Sequence, residues 1–277
     1  MIYIVLNKKG GSGKSTIASH LLPEYIRKKG IQERISLFEF DRFSQTSADF
    51  LVSSSFLKTS VISEEAIRDE IFRILFRGKE EDVILDVGAG LLVEQIIEVA
   101  KESVNLDSLV FVIPYSDDAP TALVDTVELL ENTIQKPKIM IVLNRIIDAG
   151  FTLESGKESA INLFGSKRYD IEPHEDLPKI EKYIRACIPA EKYALAFAKK
   201  NKQSLVDLRK DYETVCDLDD DDLYAYWKLK ELIAGDKPTE QEFMKNQVTI
   251  QRQRMGVIFL DKCQEFYTEL AKLDESK

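Results

Sequence analysis

The chain opens on the apolar run Ile2-Tyr3-Ile4-Val5-Leu6, and short apolar runs recur at Ile35–Phe40, Asp82–Val87, Leu109–Ile113 and Ile139–Leu143. Runs of this length, bounded by turn-forming residues, read as buried strands. Between them the apolar spacing changes to three and four. Ile17, Ala18, Leu21, Leu22, Tyr25 and Ile26 mark one face of a helix that ends near Gly30. Further helices are predicted over 44–58, 63–77, 91–104 and 119–134; the second starts on Ser63-Glu64-Glu65 and carries Ile67, Ile71, Ile74 and Leu75 on one face. Strands alternating with helices predict an α/β fold with a doubly wound, mostly parallel sheet. Beyond residue 151 the pattern weakens to a short strand at 166–171, and after Ile188-Pro189 the chain reads as helical. The last helix, 240–272, has an apolar stripe of Met244, Val248, Met255, Phe259, Cys263, Phe266 and Leu270, suited to packing on the domain or to a partner seam. The expected division is an α/β core over 1–188 and a helical C-terminal extension over 189–277, packed on the core.

The junction between the first strand and the first helix reads Lys8-Lys9-Gly10-Gly11-Ser12-Gly13-Lys14-Ser15-Thr16. Backbone amides of such a loop cradle phosphates, and the helix N-terminus adds partial positive charge. Gly10, Gly11 and Gly13 allow positive φ and close approach of the backbone to an anion. In the phosphate-loop pattern Lys14 reaches the β- and γ-phosphates and Ser15 ligates Mg²⁺, with Ser12 and Thr16 completing the loop. Lys8 stands where the general pattern has glycine, and Lys9 is an extra lysine ahead of the glycine pair. Further along, an apolar strand ends in Asp86-Val87-Gly88, where Asp86 is placed to hold Mg²⁺ through water and the Gly88 N–H to meet a γ-phosphate.

The segment K-G-G-x-G-K-S-T resembles the deviant Walker A motif of the ParA/MinD family of ATPases. The resemblance extends over residues 1–150 and implies ATP and Mg²⁺ as ligands. It implies that Lys9 reaches the nucleotide of a partner subunit, so that Lys9 and Lys14 share in catalysis within a homodimer formed in the ATP state. Glu39-Phe40-Asp41-Arg42-Phe43-Ser44-Gln45 resembles the family's D-x-D-P-Q segment, with Glu39 replacing the first aspartate and Phe43-Ser44 breaking the tail. Asp41 falls where the family keeps the residue that helps position the attacking water; a helix-capping carboxylate is the plain alternative. Asn144-Arg145, closing the strand at 139–143, falls where the family recognises adenine, Asn144 by hydrogen bonds to the base edge and Arg145 by stacking. A turn asparagine is the alternative there. Residues 171–177 resemble the family's loop past the adenine.

Composition narrows the functional classes. The net charge of −10 argues against a general nucleic-acid binder, so any DNA contact needs a local patch. The densest basic cluster is Lys199, Lys200, Lys202, Arg209 and Lys210; Lys199, Lys202 and Arg209 come together if one helix continues through residue 203. The resemblance to ParA-type proteins implies nonspecific DNA binding by this cluster in the ATP dimer; a solvated helix face is the plain alternative. Cys187, Cys216 and Cys263 lack metal spacing and read as reduced thiols of a cytoplasmic protein. No run approaches the about 20 apolar residues of a membrane span, Met1–Leu6 is too short for a signal peptide, and the mixed-charge tail speaks against a membrane helix. His20 and His174 read as structural or surface histidines. The run 217–223 lacks the glycine and the closing glutamate of a calcium loop and reads as an acidic helix start.

Other families with the deviant motif require features that are missing here: cluster-binding cysteines before residue 187, a C-x-x-C zinc pair or a C-terminal tyrosine cluster. The expectation is a ParA-like ATPase, used in plasmid or chromosome partition or cargo positioning and stimulated by a ParB-like adaptor. Two alternatives stay open. One is a plasmid-transfer accessory ATPase of the same fold, towards which Asp86-Val87-Gly88-Ala89-Gly90 leans. The other is an ATP-dependent ligase of the dethiobiotin synthetase kind.

Overall fold

Ile2, Ile4 and Leu6 point to one side of the first strand and Tyr3 and Val5 to the other, and all five are fully buried. A strand buried on both faces belongs at the centre of a sheet covered by two helical layers. A computed structural model describes residues 1–30, 35–40, 51–62, 67–77, 81–103, 105–116, 120–146, 177–217 and 240–276. Among these residues seven strands form one sheet: β1 (Ile2–Val5), β2 (Ile35–Phe40), β3 (Leu57–Val61), β4 (Val83–Val87), β5 (Leu109–Tyr115), β6 (Lys138–Ile146) and β7 (Ile184–Pro189). The order is β3-β2-β4-β1-β5-β6-β7, and every neighbouring pair is parallel. The fold is α/β, as predicted. β1 lies between β4 and β5, so the chain winds away from it on both sides, and its C-terminal edge is where such sheets place ligands.

The first helix, α1, runs over 14–28, with a π-helical stretch at Ile17–Leu21 between two α-helical segments. It is followed by α2 (Ile67–Arg77), α3 (Leu91–Lys101), α4 (Pro120–Thr133), α5 (Leu177–Glu181), α6 (Tyr193–Asn201), α7 (Leu205–Glu213), α8 (Glu240–Lys262) and α9 (Gln264–Glu275). Helices α2, α3 and α4 cover one face through Ile71, Ile74, Val93, Ile97, Leu123 and Val127. Helix α1 and the helices from α6 onward cover the other, sharing one core with Tyr3, Val5, Val110 and Val142. Each of these side chains contributes about 1.5–3 kcal/mol through burial. At the N-terminal end of β1, one carboxylate oxygen of Asp274 on α9 accepts from Tyr3 (2.7 Å), Tyr25 (2.8 Å) and Lys29 (3.2 Å). These bonds fasten the last helix under β1 and α1.

Several expectations change. The described part of the segment predicted as a helix at 44–58 contains no helix, and its end is the edge strand β3. Serines compete with helical hydrogen bonds. Here the Ser54 hydroxyl accepts from the Phe56 and Leu57 amides and donates to Asp207. β7 was not anticipated, because Arg185 interrupts its apolar run; the guanidinium lies 3.5 Å from Glu269 on α9. The helix predicted at 240–272 breaks at Cys263, and Val248 on its stripe is half exposed. The helix expected through residue 203 ends at Asn201, where Lys202 turns left-handed at φ 57° before Ser204 caps α7.

That break dissolves part of the basic cluster. Arg209 is buried on α7, 3.4 Å from Glu24 on α1 and 2.6 Å from Asp261 on α8. Lys199, Lys200, Lys202 and Lys210 are all exposed, the last with its ammonium over the Phe56 ring. His20 is not partly exposed but buried, and its Nδ1 accepts from the Leu205 amide at 3.2 Å. Burial lowers its pKa to about 4. Residues 166–171, His174 and most of the acidic run 217–222 lie outside the described residues. Among the described residues no helix is long and apolar enough to cross a membrane.

Candidate phosphate-binding site

The loop that leaves β1 is built around two left-handed glycines, Gly11 at φ 76° and Gly13 at φ 104°. Gly13 caps α1, its carbonyl accepting from the Ile17 amide at 3.2 Å. A Cβ at residue 13 would fall 1.8 Å from Asn144 Nδ2, so both the backbone angle and the space demand glycine. Asn144 sits near the C-terminal end of β6, 5% exposed, and donates from Nδ2 to the Ser12 carbonyl at 2.9 Å. The structure thus brings Asn144 against the loop itself, as a prop. It is not a turn residue.

Lys14 is largely buried in the first turn of α1. Its ammonium donates to the Lys9 carbonyl (3.0 Å) and the Asn7 carbonyl (3.5 Å). The Ser12 hydroxyl also donates to the Lys9 carbonyl, at 3.4 Å. The cation is therefore held inside the curve of the loop. Gly10 and Gly11 are exposed at its tip; Lys9, Ser15 and Thr16 are half-buried. Lys8, at the position where the general pattern has glycine, forms an ion pair with Glu94 on α3 at 3.0 Å, and its carbonyl accepts from Gly90. That lysine links the loop to the segment after β4.

Asp86 lies in register with Val5 on one side and with Glu39 on the other. Residues in register on parallel strands share a face, and Val5 belongs to the α1 side. Two buried carboxylates, Asp86 and Glu39, therefore stand on the α1 side of adjoining strand ends. The Gly88 amide donates to the Phe40 carbonyl, so it serves the end of β2. Asp41 and residues 171–176 of the loop predicted to pass the adenine lie outside the described residues, Leu177 opening α5; of Arg145 only the backbone is described, within β6.

Two features escaped sequence reasoning. The first is a cavity of about 340 Å³ beside the loop, lined by Thr16, Asn144, Pro189, Glu191, Lys192, Leu195 and Phe259. Glu191 caps α6 by accepting from the Tyr193 and Ala194 amides. A strand followed by Pro-x-Glu was the available signal for this wall; Phe259 comes from distant α8 and gave none. The second is Asn7, 1% exposed, which donates to the Pro114 carbonyl at 2.7 Å and accepts from the Lys9 amide at 2.9 Å. A small amide at the exact strand-to-loop junction was its only trace.

The arrangement offers backbone amides at a helix N-terminus, a buried ammonium, a hydroxyl and two carboxylates around one edge of the sheet. Such a set binds phosphate groups, with an oxygen-rich corner suited to a hard divalent cation. Neither the protein-family models nor the curated protein sequences give a match to this chain.

Proposed function

We propose that this protein binds ATP with Mg²⁺, hydrolyses it by attack of water on the γ-phosphate, and uses the cycle to switch between monomer and homodimer in the manner of ParA/MinD-type ATPases. The observation that carries the reading is the loop over 8–16: left-handed Gly11 and Gly13, Asn144 beneath Gly13, and Lys14 held inside the curve. A glycine loop at a helix N-terminus with an ammonium held beside it suits the phosphates of a nucleotide. The cavity bordered by Thr16, Asn144 and Pro189 is of a size to take a nucleobase next to that loop. Asn144 then both supports the loop and borders the base.

Ser15, Asp86 and Glu39 supply the oxygen donors that Mg²⁺ prefers. When bound, the ion neutralises charge on the phosphate oxygens. Lys14 stabilises charge on the β- and γ-oxygens, and Asp41 is assigned to orienting water. Lys9, ahead of exposed Gly10 and Gly11, is assigned to the nucleotide of the second copy. Partition or cargo positioning, with an activating ParB-like adaptor, follows from the family resemblance. The four exposed lysines 199, 200, 202 and 210 are what remains to support DNA contact.

Light scattering with a slowly hydrolysed ATP analogue tests the switch. The wild-type chain should double in mass on binding the analogue with Mg²⁺, and Lys9→Ala should bind it and stay monomeric. A Lys9→Ala chain that dimerises like wild type refutes the role of Lys9 across the interface.

A further inference from the structure

We propose that Asn7 is the positioning residue of the phosphate loop, an inference that rests on the ATP-binding reading above. The ladder of β1 with β5 is regular through Val5, which pairs with Val112, and the Leu6 amide continues it by donating to the Val112 carbonyl. In a parallel ladder the next rungs join the Leu6 carbonyl to the amide of residue 114 and the Lys8 amide to the carbonyl of residue 114. Neither forms in its ordinary way. Residue 114 is proline and has no N–H. The Lys8 amide has turned to the Thr126 hydroxyl, at 3.4 Å.

Asn7 takes the place of the second rung. Its side-chain Nδ2 donates to the Pro114 carbonyl at 2.7 Å, satisfying an acceptor that the departing strand abandons. Its Oδ1 accepts from the Lys9 amide at 2.9 Å, which fixes the Lys8–Lys9 peptide plane. The next peptide carbonyl, that of Lys9, receives Lys14 Nζ at 3.0 Å and the Ser12 hydroxyl at 3.4 Å. The Asn7 carbonyl itself lies 3.5 Å from Lys14 Nζ. One carboxamide, 1% exposed, thus ties the rigid end of β5 to the peptide that sets Lys9 and Lys14.

A side chain that only fills space would not need both ends of an amide engaged in this way. Aspartate supplies the acceptor without the donor, and leucine supplies the volume with neither. Asn7 acts through Lys9 and Lys14, so its removal should weaken binding of the phosphates in molecules that are fully folded.

The test is the Kd for MgATP of Asn7→Ala and of Asn7→Leu, measured well below the thermal transition of each, with Ile4→Val on the same strand as a control for lost packing. Both Asn7 variants should bind about threefold to tenfold more weakly than wild type, the scale of one or two lost hydrogen bonds. Ile4→Val should lower the Tm and leave Kd unchanged. Asn7→Leu keeps the volume, so it decides the matter if Asn7→Ala fails to fold. Wild-type affinity in a folded Asn7 variant overturns the positioning role and leaves the ATPase reading standing. A wild-type chain that binds no nucleotide overturns both.

Discussion

The side-chain amide of Asn144 lies directly against Gly13: Nδ2 donates to the Ser12 carbonyl at 2.9 Å and occupies the place where a Cβ on residue 13 would project. Gly13→Ala must therefore both hold a left-handed angle, costing about 1–2 kcal/mol, and displace the amide that supports the loop. We expect MgATP binding to be lost in Gly13→Ala. The double variant Gly13→Ala, Asn144→Ala relieves the contact but not the angle, and should recover only part of the affinity. Titration calorimetry on the three chains measures this.

Asn144→Ala alone separates two roles. If the amide props the loop, ATP and GTP should weaken together, by about tenfold or less for one buried hydrogen bond. Competition between the two nucleotides reads it: loss of ATP affinity with GTP affinity unchanged would assign the residue to the base alone.

His20 gives a pH dependence of stability. Burial of the ring, which disfavours the charged form, lowers its pKa from the ordinary 6.5 to about 4, outweighing the nearby Asp207 carboxylate and a Ser19 backbone hydrogen bond that raise it. The unfolded chain takes up the proton below pH 6.5 and the folded chain does not. This contribution is therefore complete above pH 6.5 and is lost as pH falls towards 4. It amounts to about 3 kcal/mol over that window. Urea unfolding at pH 7 and pH 5 should show a smaller pH difference in His20→Gln than in wild type.

Arg209→Ala should act on stability. The guanidinium lies between Glu24, which is fully buried, and Asp261, joining α1, α7 and α8. Removing one partner of a buried ion pair costs about 3–5 kcal/mol; Arg27, which also pairs with Glu24 at 3.0 Å, keeps this loss towards the lower end. A thermal melt measures it. Any nonspecific DNA binding should survive Arg209→Ala and disappear with Lys199, Lys200, Lys202 and Lys210 replaced together.

Much of the architecture was legible because parallel strands are apolar on both faces. Ile2–Leu6, Val83–Val87 and Ile139–Leu143 could hardly be anything else. The tight glycine loop over 8–16 was legible from its glycines, since the left-handed angles at Gly11 and Gly13 leave few residue choices. What stayed hidden depends on contacts distant in sequence. Leu57–Val61 becomes a strand because it pairs with β2, and Ser54 bonds to Asp207 more than 150 residues away. Arg209 looks like a surface cation until Glu24 and Asp261 are brought to it. Asn7 gives little signal until the Pro114 carbonyl and the Lys9 amide are brought to the two ends of its amide.

The most direct test is MgATP binding by the wild-type chain and by Lys14→Ala, measured by calorimetry with melting curves to confirm that both are folded. We expect saturable binding of one ATP per chain, dependent on Mg²⁺, and its loss in Lys14→Ala, which keeps the fold but has no ammonium inside the loop. Undiminished ATP affinity in a folded Lys14→Ala chain would contradict this expectation.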